Sequence, residues 1–173
     1  MKDKCLAIIP ARGGSKRIPR KNIKDFLGKP IIAYSIEAAL KSELFDEVMV
    51  STDDSEIAEI AKKYGAKAPF FRSEKTSNDY AGIAEVAAEV LEEYKEEFTY
   101  FCIIFATAPF ITHERLIEGY KLVKEKKFSS VFPVRKFSYP IQRALELKNH
   151  KVSMIWSENY TKRSQDLTSA YHD

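Results

Sequence analysis

The chain has 173 residues, 45% of them hydrophobic and 12% aromatic, with a formal net charge of +3. That length and apolar content suit one globular domain, 1–173, with a sizeable core. So mild a charge excludes bulk nucleic-acid binding through a global basic field, and a local cluster then carries more meaning than the total. No run approaches the roughly 18 apolar residues a membrane helix needs. The start Met1-Lys2-Asp3-Lys4 leads into only five apolar residues before Pro10, which predicts no secretory signal and a cytoplasmic location.

Strand and helix signals alternate. Leu6–Ile9 is an apolar run that reads as a buried first strand. A helix is predicted from Pro30 to about Lys41, with proline in its first turn, then a strand over Glu47–Ser51. The helix Asp54–Tyr64 carries Ile57, Ile60, Ala61 and Tyr64 on one face, Asp53 and Glu56 at capping-box spacing, and Gly65 to end it. A short strand follows at Ala68–Phe71, a second amphipathic helix at Ala81–Tyr94, and a central apolar strand at Tyr100–Phe105. Thr112 is placed to cap a helix running to about Lys126. Strands are expected at Ser130–Val134 and Gln142–Leu147. This alternation predicts a mostly parallel sheet with helices on its faces, a three-layer α/β/α domain of Rossmann-like type. Cys5 and Cys102 fall in predicted strands and read as small core residues. His113, His150 and His172 have no metal-ligand spacing.

The segment after the first strand is the most informative. From Arg12 to Lys24 there are six basic residues and no acid, with Gly13, Gly14 and Ser15 among them and prolines at 10 and 19. Such a loop is either a solvated basic turn or a polyphosphate cradle. Its place at the carboxyl end of a strand and its restricting prolines favour the cradle. Glycines let backbone N–H groups approach an anion, and Arg and Lys neutralise it. Neither a Walker phosphate loop nor a Rossmann Gly-x-Gly-x-x-Gly string is present.

Pro10-Ala11-Arg12-Gly13-Gly14-Ser15-Lys16, followed by Lys21-Asn22, resembles the N-terminal signature of the CMP-sugar synthetases, the acylneuraminate cytidylyltransferase family that activates nine-carbon acidic sugars. Val50–Ala58, Arg72-Ser73 with Asn78-Asp79, and Ala106-Thr107-Ala108-Pro109-Phe110 follow in the family's order. The resemblance covers essentially the whole chain. It implies a nucleotidyltransferase domain in which the anomeric hydroxyl of a sugar attacks the α-phosphate of CTP, with Mg²⁺ as cofactor and pyrophosphate as leaving group. Within the family, Ala106–Phe110, Phe137–Ala144 and Ser164–Asp173 point to pseudaminic acid as the sugar.

Residue by residue, the resemblance implies Arg12 and Lys21 as the essential cations. Ala11, Gly13, Gly14, Ser15, Lys16, Asn22, Arg72, Asp79 and Thr107 are expected on the nucleotide side, and Ala106, Tyr139, Gln142, Arg143, Arg163, Gln165 and Tyr171 at the sugar. Arg17, Arg20 and Lys24 read as solvated surface. Two departures matter. The serine that commonly lies just after the Asp79 position is replaced by Ala81-Gly82. Ala106 stands where sialic-acid members carry a sugar-binding Gln, and the acidic stretch of Kdo-activating members is missing. The first departure leaves ribose contacts to backbone or other side chains; the second speaks against sialic acid and Kdo, which stay as alternatives. In the family a glycine-containing strand and an Asp-bearing metal-binding segment follow the point where Asp173 stands. The expectation is a chain truncated at its C-terminus, with no metal ligand of its own, an open question over the family's homodimer, and a nucleotide-binding fragment without turnover as a further alternative. RNA binding through the basic loop is disfavoured by the absence of interleaved aromatics.

Overall fold

The protein, as a computed structural model, is described over residues 3–95 and 98–173; the Met1-Lys2 of the signal reading lies outside them. In chain order the elements are β1 (Cys5–Pro10), β2 (Asp25–Phe26), β3 (Lys29–Pro30), α1 (Ile31–Lys41), β4 (Glu47–Ser51), α2 (Ser55–Lys63), α3 (Glu74–Ser77), α4 (Ile83–Tyr94), β5 (Tyr100–Ile103), α5 (His113–Lys126), β6 (Arg135–Lys136), β7 (Leu145–Lys148), β8 (Lys151–Met154) and β9 (Tyr171–His172). They fall into two compact units, the first ending at Lys121 and the second running Leu122–Asp173.

The first unit is built on a parallel sheet of order β4-β1-β5. β1 is covered on both faces, which is why its sequence is an unbroken apolar run. Its odd positions, Ala7 and Ile9, pack with Ile32, Ile36 and Ala39 of α1, Ile57 and Ala61 of α2 and Leu116 of α5. Its even positions, Leu6 and Ile8, pack with Met49 and with Ala87 and Val90 of α4. The period-2 alternation of one strand thus makes a three-layer α/β/α sandwich. Ile9 is fully buried, and Ile9→Ala would cost about 2–5 kcal/mol. Because β4 and β5 flank β1 on opposite sides, the order reverses at β1, and its carboxyl end is where an open α/β sheet has room for a ligand.

Local chemistry sets the boundaries. The cap of α2 is Asp54, whose carboxylate accepts the Ile57 N–H at 3.0 Å, and not Asp53 as the spacing to Glu56 predicts. Gly65 takes the left-handed backbone, φ 93°, that ends α2. Thr112 Oγ1 accepts the Arg115 N–H at 3.4 Å at the start of α5. The strand predicted at Ala68–Phe71 is reduced to two isolated parallel bridges, Met49 to Lys67 and Thr52 to Phe71. Pro69 lies between them and has no N–H to continue a ladder.

In the second unit the expected strand at Ser130–Val134 is irregular, with Pro133 inside it, and pairing begins only at β6, antiparallel to β9. The expected strand Gln142–Leu147 is instead a 3-10 turn, Ile141–Arg143, followed by β7. β7 and β8 form a two-residue hairpin through Asn149 and His150, both at positive φ (49° and 60°), the geometry of a type I′ turn.

Candidate functional site

A cavity of about 640 Å³ opens beyond the carboxyl ends of β1 and β5, bounded by Pro10 and by Phe105, Ala106 and Thr107. The basic loop supplies one wall through Arg12, Ser15, Lys16, Arg17, Lys21 and Asn22. Arg72, Thr76, Asn78 and Asp79 supply another part of the lining, and Ala81, Ile83 and Val86 add an apolar patch at the start of α4.

The loop is held from beneath. The Ala11 N–H donates to the Ser51 carbonyl at 2.9 Å, extending β1 past Pro10 along β4. Asn22, buried in the 3-10 turn Lys21–Ile23, donates its Nδ2 to the Arg12 carbonyl at 2.9 Å. The Gly13 N–H donates to Asp53 Oδ1 at 2.8 Å.

The charges of the cavity are arranged around one acid. Asp79 accepts from Arg12 Nη1 at 2.6 Å and from Lys16 Nζ. These contacts, Lys16 first and Arg12 second, hold the Asp79 carboxyl below its ordinary range. Arg72 is buried. Its Nε donates to Ser51 Oγ at 3.1 Å, Nη2 to the Ser51 carbonyl at 2.8 Å and Nη1 to the Thr76 carbonyl at 3.4 Å. Burial lowers the pKa of its guanidinium, against the opposing charges of Asp53 and Glu89. Burial pushes the Glu89 carboxyl up, but bonds from Thr76 and Ser73 outweigh this and bring it down. Arg72 thus ties the end of β4 to α3 while presenting an edge to the cavity.

Of the sequence-predicted residues, Arg12, Ser15, Lys16, Lys21, Asn22, Arg72, Asp79, Ala106 and Thr107 come together on this one cavity. Ala11, Gly13 and Gly14 are not among its lining residues. Ala11 is fully buried in the core, and the Gly13 N–H is donated to Asp53. Arg17, read as solvated surface, lines the cavity. Ile83 and Val86, on the apolar face of α4, line it as well. The remaining sugar-side residues lie in the second unit. There Gln142 Nε2 donates to the Thr168 carbonyl at 2.9 Å, and its buried Oε1 has no partner among the described residues. Arg143 Nη1 donates to the Lys162 carbonyl at 2.7 Å, and Arg163 is paired with Asp166 at 2.8 Å. Gln165 sits in the 3-10 turn Ser164–Asp166, Tyr171 in β9, and Tyr139 is exposed.

Among the described residues no three His, Cys, Asp or Glu side chains could hold a metal together. Asp79 is the acid that lines the cavity. One carboxylate suits a Mg²⁺ that keeps its waters and is held mainly by substrate phosphates. Among the described residues no helix is long and apolar enough to cross a membrane.

Residues 6–170 match the family model described as cytidylyltransferase. The chain is 51% identical to a pseudaminic acid cytidylyltransferase of Campylobacter jejuni, over 98% of this chain and 75% of that protein. It is 34% identical to an N-acylneuraminate cytidylyltransferase of Escherichia coli, over 99% of this chain and 41% of the other. Its fold is similar to that of a solved CMP:2-keto-3-deoxy-manno-octonic acid synthetase, with TM-score 0.68 at 24% identity, covering 98% of this chain and 70% of that one.

Proposed function

We propose that this chain, which belongs to the cytidylyltransferase family, transfers CMP from CTP to the anomeric hydroxyl of pseudaminic acid. In that reaction the hydroxyl oxygen bonds to the α-phosphorus, the bond from that phosphorus to the bridging oxygen breaks, pyrophosphate leaves, and the hydroxyl proton passes to water. The sugar is taken from the high identity to the Campylobacter jejuni protein.

The observation that carries the reading is the convergence of Arg12, Lys16, Arg17 and Lys21 on a cavity at the switch point of the sheet. Phosphoryl-type transfer needs positioning and countercharge more than covalent help. Arg12 can clamp two phosphate oxygens, while Lys16 and Lys21 act as point charges. Asp79 fills the place of an anion between Arg12 and Lys16, which a triphosphate would take over. Mg²⁺, bound to the triphosphate, would neutralise charge on the leaving group. The apolar patch of Ala81, Ile83 and Val86 offers a face to a ring, and Ala106 makes the strand end less polar than a glutamine would. A cytoplasmic location accords with a CTP-using reaction.

The test is pyrophosphate release from CTP and Mg²⁺ with pseudaminic, N-acetylneuraminic and Kdo acids in parallel. Release with pseudaminic acid alone is expected. Release with N-acetylneuraminic or Kdo acid instead would move the substrate, and silence with all three beside measurable CTP binding would make the chain a nucleotide-binding fragment.

A further inference from the structure

Two cations of the basic loop, Arg20 and Lys24, are not among the residues that line the cavity, and Arg20 has acidic partners elsewhere. It stands toward the loop's far end with a left-handed backbone, φ 54°, a conformation a non-glycine residue keeps only where its surroundings hold it. Its guanidinium takes Asp54 with both arms, Nη2 to Oδ1 at 3.0 Å and Nη1 to Oδ2, and also reaches Glu56. At the near end, Gly13 gives its N–H to Asp53 and lies so close to Asp54 that a Cβ would stand 2.7 Å from Oδ2. Both ends of the loop are therefore fastened to one corner, the junction of β4 and α2. Asp54 serves there as cap of α2, partner of Arg20 and wall for Gly13.

We infer that Arg20 and Asp54 are positioning residues, a clasp that never touches the nucleotide but holds Arg12, Lys16 and Lys21 over its phosphates. This rests on the reading of the cavity as a CTP site. Arg20 is then set apart from its neighbours by its partner and not by its chemistry.

The experiment compares Arg20→Met, Asp54→Asn and the double variant in the full chain. CTP binding is measured by calorimetry, and tryptic cleavage after Lys16 or Arg17 is followed with no nucleotide present. Asparagine keeps the helix cap and the bulk beside Gly13 but loses the charge that Arg20 grips. Each single variant is expected to weaken CTP binding about fivefold, the effect of a partly exposed ion pair, and to speed cleavage of the loop. The double variant should behave like either single one, because both remove the same contact. Additive losses, with a flatter salt dependence of CTP binding in Arg20→Met, would place Arg20 on the phosphate and overturn the clasp. A lowered melting temperature with unchanged CTP affinity would overturn it too, as would unchanged cleavage in every variant. Faster cleavage in the variants of a chain that binds no CTP would leave the clasp standing and refute the functional reading instead.

Discussion

Replacing Gly13 by alanine puts a methyl carbon where Asp54 already stands. The added Cβ would lie 2.7 Å from Asp54 Oδ2, 3.0 Å from its Cβ and 3.2 Å from its Cγ. Gly13 has no left-handed backbone, so only space is at issue. A carboxylate oxygen could swing aside, but Cβ and Cγ cannot without moving the first residue of the α2 cap. Overpacking of this kind costs about 1–3 kcal/mol. If Asp54 leaves instead, the lost cap costs about 1 kcal/mol and the lost ion pair with Arg20 at most about 1 kcal/mol, so either route comes to a similar sum. For a chain of this size the melting temperature should fall by about 2–12 °C. If the loop yields in place of α2, the loss appears as a raised KM for CTP. Gly14 has no atom within 4 Å of its Cβ position, and Gly14→Ala should stay within about 0.5 kcal/mol of the wild type. Thermal unfolding and pyrophosphate release across CTP concentration read both quantities. A Gly13→Ala protein matching the wild type in both, or a Gly14→Ala protein as damaged as Gly13→Ala, would refute the steric reasoning.

Arg12→Ala should lower the rate of pyrophosphate release about 10²–10³-fold with the fold retained, the scale of losing one group that stabilises transition-state charge; an active, folded variant would remove Arg12 from the site. Arg72→Lys should cost about 1.5–3 kcal/mol in urea unfolding, because lysine cannot reproduce a fork bonded to Ser51 and Thr76. An unchanged urea midpoint would count against it. The Asp79 carboxyl is depressed by Lys16 and Arg12, so its contribution to stability is present above the unfolded value near 3.8 and is lost as pH falls through the lower folded value. Melting temperatures of Asp79→Asn and wild type should therefore differ by a constant small amount from pH 5 to 8 and converge only below about pH 4; convergence near neutrality would contradict the pairing. Burial pushes the Cys102 thiol up to about 11, so native protein at pH 7.5 should label slowly with iodoacetamide at this residue and quickly in urea; fast native labelling would refute it.

The central strand and the loop that leaves it are legible in the sequence, because burial on both faces demands an unbroken apolar run and the loop carries an unusual density of charge. The same logic reached α2 and α4, whose apolar positions repeat with helical spacing. It failed where one residue interrupts a pattern, at Pro69 and Pro133, which halt pairing without changing the apolar character of the run. It also failed for the β7–β8 hairpin, where Asn149 at a left-handed position was the available cue. At the cavity, composition marks the basic loop as a whole and the family resemblance picks out Arg12, Lys16 and Lys21, but nothing local distinguishes Arg17 from Arg20. Their difference is set by where Asp54 and Glu56 stand, more than thirty positions along the chain. That the Gly13 N–H is given to Asp53 depends on the same distant corner.

β1 is made before both of the strands that flank it. Leu6 pairs with Glu47 on one side and with Phe101 on the other, so its second neighbour exists only after most of the first unit has been made. Pairings this far apart in sequence form slowly, and until β5 docks the strand keeps a bare edge open to the wrong partner. The loop that hangs from β1 and the Ala106-Thr107 wall that follows β5 therefore reach their places together, late in folding. A nascent chain short of Tyr100 already carries Arg12, Lys16, Arg72 and Asp79, yet it has no cavity in which to place them.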